Sequence, residues 1–230
     1  MEKLKCFIKD ELTGWKNWEK IWLILNVAII AILSLVLGDD IRGIVAAVTG
    51  VMYVVLTGKG KISGYLFGLI NVILYAMISY EAQYYGEVML NVLYYIPMHF
   101  VGWVMWKKHI DDNTKEIVKE RMPLKLEIIL MVLSLLAIVV YGYVLKLLGG
   151  SLPYIDSVST CLSVLAMILS VRRMIEQWVL WTIVNAVTVY MWVIDYMNGG
   201  SDVAMLLMWM VYLANGIIIL IKWIKDMRKQ

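Results

Sequence analysis

Cysteine and histidine are scarce in this 230-residue chain, with two of each. Cys6 and Cys161 form no CxxC pair and no metal-ligand spacing, so each is expected to be a small apolar or surface residue. His99 and His109 are too few and too separated to build a metal site. Enzyme signatures are missing too. GKGKIS at 58–63 lacks the glycine spacing of a phosphate-binding loop, its Lys61 is followed by Ile62, and no GxSxG or HxxxH pattern occurs. Nor is any Asp or Glu expected at mid-depth in the apolar runs. Proton pumps and symporters usually place such residues there, so proton coupling is not expected.

Apolar side chains are abundant. They make up 62% of the chain and its mean hydropathy is +0.77, well above the composition of a soluble domain. Eight runs are long enough to cross a bilayer, at 20–37, 41–57, 62–80, 87–106, 124–148, 155–171, 176–196 and 202–222. The connections alternate in charge. Of the 21 Lys and Arg, all but Arg42 and Lys146 lie in 1–20, 58–61, 107–125, 172–175 and the tail from 222. That bias predicts a multi-pass membrane protein with both termini and every basic loop in the cytoplasm. The first run is expected to be an uncleaved span, since LVLGDD offers no small-x-small cleavage site. Residues 1–20, with Trp15 and Trp18, would lead into it along the membrane surface.

Displaced by 114 residues, the chain matches itself without a gap: Asn71 falls on Asn185, Gly102 on Gly216, Tyr95 on Trp209 and Lys59 on Arg173. The matches mark two three-helix units, 40–107 and 154–222. Both carry their basic turn after the first helix, so one crossing, 124–148, must separate them. The expected fold is an all-α integral membrane protein, 3+1+3 with parallel repeats and one extra N-terminal helix, forming a single transmembrane domain over 1–230. Parallel repeats of this kind place a substrate near the midplane, between the halves.

QWVLWTIVN at 177–185 puts Trp178, Trp181 and Asn185 on one helical face. Counted from the cytoplasmic charges, Asn71 lies roughly 15 Å deep and Asn185 about 18 Å deep. Both amides need partners, and spacing leaves two readings open: a clasp between helices or contact with a ligand. Trp181, about 12 Å in, is deep for a membrane-interface belt, whereas Trp22, Trp103, Trp106 and Trp223 read as belt residues. Gly64 and Gly68 read as close helix packing. Asn91, Tyr95 and Met98 share a stripe with His99 beside it, His99 reading as a neutral hydrogen-bonding imidazole. Pro97 breaks a mid-span hydrogen bond and reads as a hinge in one half only. Indoles and amides without a fixed carboxylate suit a flat, cationic guest held by stacking and cation–π attraction.

GKGKISGYLFGLINVILY (58–75), YGEVMLNVLYYIPMHFVGWVMW (85–106), DSVSTCLSVLAMIL (156–169) and QWVLWTIVN together resemble the PnuC family of bacterial vitamin transporters, over about 40–225. The resemblance implies a SWEET-like fold in the bacterial cell membrane. It implies uptake of nicotinamide riboside by facilitated diffusion, with phosphorylation by a cytoplasmic riboside kinase as the trap. It further implies that Trp178 and Trp181 flank the nicotinamide ring while Asn185 and polar residues of the third helix contact ribose and carboxamide. In one departure, this chain reads PMHF where members often read PMQF. Thiamine, another aromatic cation, is the nearest competing substrate, followed by riboflavin or a deoxynucleoside; a vitamin-binding membrane subunit is the non-transport alternative. The partners so implied are the small-molecule substrate, the lipid bilayer and the kinase. A homo-oligomer is compatible with this picture, and neither a cofactor nor nucleic acid is expected.

Overall fold

A computed structural model describes residue 7 and residues 9–81, 85–111, 115–147, 152–199 and 203–227. Cys6 and parts of the turns at 81–87, 149–154 and 197–202 lie outside the described residues. Eight helices are long and apolar enough to cross a membrane. They are α1 (Asn17–Leu37), α2 (Ile41–Lys59), α3 (Gly64–Glu81), a composite α4, α5 (Leu124–Leu147), α6 (Pro153–Val171), α7 (Gln177–Met197) and α8 (Val203–Met227). Helix α4 runs through Tyr85–Met89, Leu90–Tyr95 and Ile96–Lys107. The expected runs all recur, with α8 extended past residue 222.

Local chemistry sets the helix ends. Asp40 caps α2 by accepting the Gly43 N–H at 2.7 Å, and α1 and α2 both stop at a left-handed glycine, Gly38 (φ 85°) and Gly60 (φ 87°). Arg173, at the equivalent turn between α6 and α7, takes the same left-handed backbone at φ 62° without being glycine. A strap from the α4–α5 connection braces both turns. Ile117 N–H donates to Gly60 O (3.2 Å) and Glu120 N–H to Arg173 O (3.0 Å), while the Arg173 guanidinium meets the Glu120 carboxylate.

Helices α2, α3, α4, α6, α7 and α8 pack in that order into a closed ring, α8 returning to α2. Helix α1 lies outside, against α2 and α8, and α5 lies outside against α6. Exchanging α2–α4 with α6–α8 leaves the ring's contacts unchanged: α2 meets α8 as α6 meets α4. The middle helices, α3 and α7, face each other across the interior.

Two expectations are corrected. Trp106 and Trp223 are not belt residues, for both are fully buried. Each indole N–H instead joins two helices, Trp106 donating to Ser170 O (3.0 Å) and Trp223 to Gly58 O (2.9 Å). Trp22 likewise points inward, donating to Asn215 Oδ1 at 2.7 Å. Their positions beside basic residues suggested a headgroup level, but nearby polar atoms for the indole to join were invisible in sequence.

The second correction concerns α4. Pro97 has no N–H to offer, and the turn before it is π-helical, with Ile96 N–H reaching back five residues to Asn91 O. The wider turn shifts the register by about one residue, so that His99, rather than Met98, continues the line of Asn91 and Tyr95. His99 is 3% exposed.

Candidate functional site

The ring surrounds a cavity with about 810 Å³ of space between atoms, its opening to solvent included. All seven residues singled out from the sequence line it: Asn71 from α3, Asn91, Tyr95 and His99 from α4, and Trp178, Trp181 and Asn185 from α7. Both readings of Asn71 meet here. Its Nδ2 donates to Ala46 O at 2.8 Å, clasping α3 to α2, while the side chain also borders the cavity. Gly216 makes room for α7, since a Cβ there would stand 3.1 Å from Thr182 Oγ1, beside Asn185.

The two tryptophans have different neighbours. Trp178 sits edge-on to Trp223, ring centroids 5.7 Å apart, and its Nε1 is buried with no hydrogen-bond partner. Trp181 leans against Tyr95 at 6.4 Å, which ties α7 to α4 across the ring. In the other half, Tyr65 meets Trp106 edge-on at 5.0 Å, so Tyr65 does there what Trp178 does against Trp223. The glycine facing Trp178 in the self-match, Gly64, serves packing instead: a Cβ would fall 2.5 Å from Thr57 Oγ1 and 3.0 Å from its backbone nitrogen.

His99 is fixed by geometry. Nδ1 lies 2.8 Å from Tyr95 O, and a carbonyl only accepts, so Nδ1 carries the proton. In the neutral ring, Nε2 is then an acceptor, and it is buried without a partner. Tyr53 and Tyr65 enclose the imidazole, with ring centroids at 5.1 and 5.8 Å. Gly68 makes the space, because a Cβ would sit 2.3 Å from Nε2.

Sequence reasoning missed several lining residues. Tyr212 OH, Gln177 Oε1 and Thr57 Oγ1 are buried, unpartnered and border the same cavity. Buried polar atoms are nearly always paired, so such a cluster around one space marks where a polar guest would bind. Trp209 also lines it and was within reach, as the self-match partner of Tyr95. The expectation of a carboxylate-free site is overturned by Glu87, which is 6% exposed and lines the cavity. Its place at the end of the polar run EAQYYGE read as a turn; the spacing Glu87, Asn91, Tyr95, four residues apart, was the available signal.

Residues 40–225 match the family model described as nicotinamide mononucleotide transporter. The chain is 39% identical over 221 residues to a nicotinamide riboside transporter PnuC of Neisseria mucosa, covering 94% of this chain and 84% of that one. It is 30% identical to the Haemophilus influenzae protein of the same name, over 98% of both chains. Its fold is similar to a crystal structure of the vitamin B3 transporter PnuC, with a TM-score of 0.87 and 38% identity, over 97% of this chain and 98% of that one.

Proposed function

The chain belongs to the nicotinamide mononucleotide transporter family, and from that premise we propose that it carries nicotinamide riboside across the bacterial membrane through the cavity within its helix ring. The observation that carries the reading is convergence. Seven residues from three helices and both halves of the ring meet at one space. In this reading Trp178 and Trp181 receive the flat pyridinium ring, and Asn71, Asn91, Tyr95, His99 and Asn185 meet ribose and carboxamide. His99 Nε2 accepts a hydrogen bond from an amide N–H or hydroxyl of the guest.

Transport proceeds by facilitated diffusion, with both termini cytoplasmic and a cytoplasmic kinase trapping the product. The exchange symmetry of the ring contacts supports a duplicated 3+1+3 architecture in which the halves rock about the guest. Pro97 and its π-helical turn supply a place for α4 to bend.

The test is uptake of labelled nicotinamide riboside into proteoliposomes without an ion gradient, with thiamine as competitor. Saturable uptake of the riboside alone is expected. Strict dependence on a proton or sodium gradient would overturn facilitated diffusion, and uptake of thiamine alone would reassign the substrate. Trp181→Ala should abolish saturable binding in a protein that still folds.

A further inference from the structure

We propose that Glu87 is the charge selector of the cavity, favouring a guest with a fixed positive charge over a neutral guest of the same shape. This rests on reading the cavity as the site of an aromatic riboside. The starting point is a contrast between two buried glutamates. Glu19, 5% exposed, is fully compensated, with Lys59 Nζ at 2.7 Å and Lys222 Nζ at 3.0 Å. Glu87, equally buried, has no hydrogen-bond or ion-pair partner for its carboxylate among the described residues. Its backbone carbonyl is occupied, accepting from Asn91 Nδ2 at 2.8 Å, so the main chain around it is fixed.

The groups that act on Glu87 electrostatically, or on which it acts, make the point sharper. They are Tyr75 from α3, Tyr95 from α4, Tyr141 from α5 and Asp156 from α6. Asp156 is a second carboxylate, and no Lys or Arg is among the described residues lining the cavity. A buried charge is tolerated when something compensates it, and among the described residues nothing of opposite sign does so here. The compensating charge comes with the guest. Aromatic faces and amides recognise the shape of a ring and its edge groups, while a carboxylate discriminates the sign of its charge. A unit charge across roughly 10 Å at an effective dielectric constant of about 20 changes an equilibrium by about tenfold.

The experiment compares two guests in the purified full-length protein: nicotinamide riboside, a cation, and its 1,4-dihydro form, which is neutral and nearly the same size. Loss of cation–π attraction affects wild type and variants alike, so it cancels when their preference ratios are compared. Wild type should prefer the cation. In Glu87→Gln the preference should shrink by about tenfold, and Glu87→Asp should retain most of it. Glu87→Met, an apolar side chain of similar length, gives the same comparison if the amide is poorly tolerated. An unchanged preference in the folded variants, or an equal fall for both guests, overturns the proposal. Wild type that binds neither riboside overturns the reading of the cavity itself, an outcome visible before any variant is made.

Discussion

Trp223 and Gly58 are joined across the two halves of the ring: the indole N–H donates to the glycine carbonyl over 2.9 Å, inside a fully buried contact. Trp106 and Ser170 make the matching bond at 3.0 Å from the other side. Each ties the third helix of one triplet to the end of the first helix of the other. Each ring is also the edge-on neighbour of an aromatic on a middle helix, Trp178 in one case and Tyr65 in the other. Two indoles therefore join the halves at this end, the Ser170 carbonyl accepting from Arg173 N–H (2.9 Å) as well.

Trp223→Phe keeps the aromatic contact but leaves the Gly58 carbonyl unpaired. The expected loss is about 1–3 kcal/mol of stability, the cost of stranding a buried acceptor. Thermal unfolding in detergent checks it, and the double variant with Trp106→Phe should lose nearly the sum, because the two bonds share no partner. A double variant no less stable than the single one would show that the bonds are not independent.

His99→Gln is expected to retain much of the affinity for nicotinamide riboside, since the amide oxygen restores an acceptor. His99→Phe fills the same space between Tyr53 and Tyr65 but removes it, and binding should weaken at least tenfold. A guest N–H or O–H would then be buried without a partner. Titration of the two variants side by side separates lost hydrogen bonding from lost packing.

Much of this arrangement was legible before any coordinates. Runs of apolar residues and the alternation of Lys and Arg marked eight crossings, because a bilayer demands length and apolarity of each span. Helical periodicity put Trp178, Trp181 and Asn185 on one face, and the self-match paired Asn71 with Asn185; all four line the cavity. The illegible part was contact across helices. Whether Trp223 meets a headgroup or the Gly58 carbonyl depends on where α2 ends relative to α8, which no single segment records. Similarly, the register of His99 depends on one π-helical turn, and Glu87, at the end of a polar run, resembled a loop residue.

Asp40, the cap of α2, predicts a pH dependence. Its carboxyl lies below the ordinary aspartate range, first because the Gly43 N–H donates to it and then because Arg42 lies 2.7 Å away. A carboxyl depressed in the folded state stabilises the fold at neutral pH, and the contribution is lost as pH falls through the folded value. Asp40→Ala should cost about 0.5–2 kcal/mol near pH 7, as for other helix caps. The gap in melting temperature between wild type and variant should narrow only below the usual aspartate value of about 3.9.

Gly50 offers a test of how tightly the cavity wall is built. A Cβ at this position would stand 2.2 Å from Tyr212 OH, 2.7 Å from Asn71 Nδ2 and 2.8 Å from Met208 Sδ. Alanine is the better helix former, so Gly50→Ala in mid-α2 does not fail through local propensity. The methyl must instead displace Tyr212 or loosen the Asn71 clasp to Ala46 O, which holds α3 against α2. Riboside affinity should fall about tenfold or more. Removing the clashing oxygen with Tyr212→Phe should recover part of that loss, so that the double variant binds better than Gly50→Ala alone. A double variant that binds worse would mean that the Tyr212 hydroxyl is needed by the guest more than the methyl disturbs it. Direct binding titrations of all four proteins, read as a cycle, separate a wall that shapes the cavity from a wall that also bonds its contents.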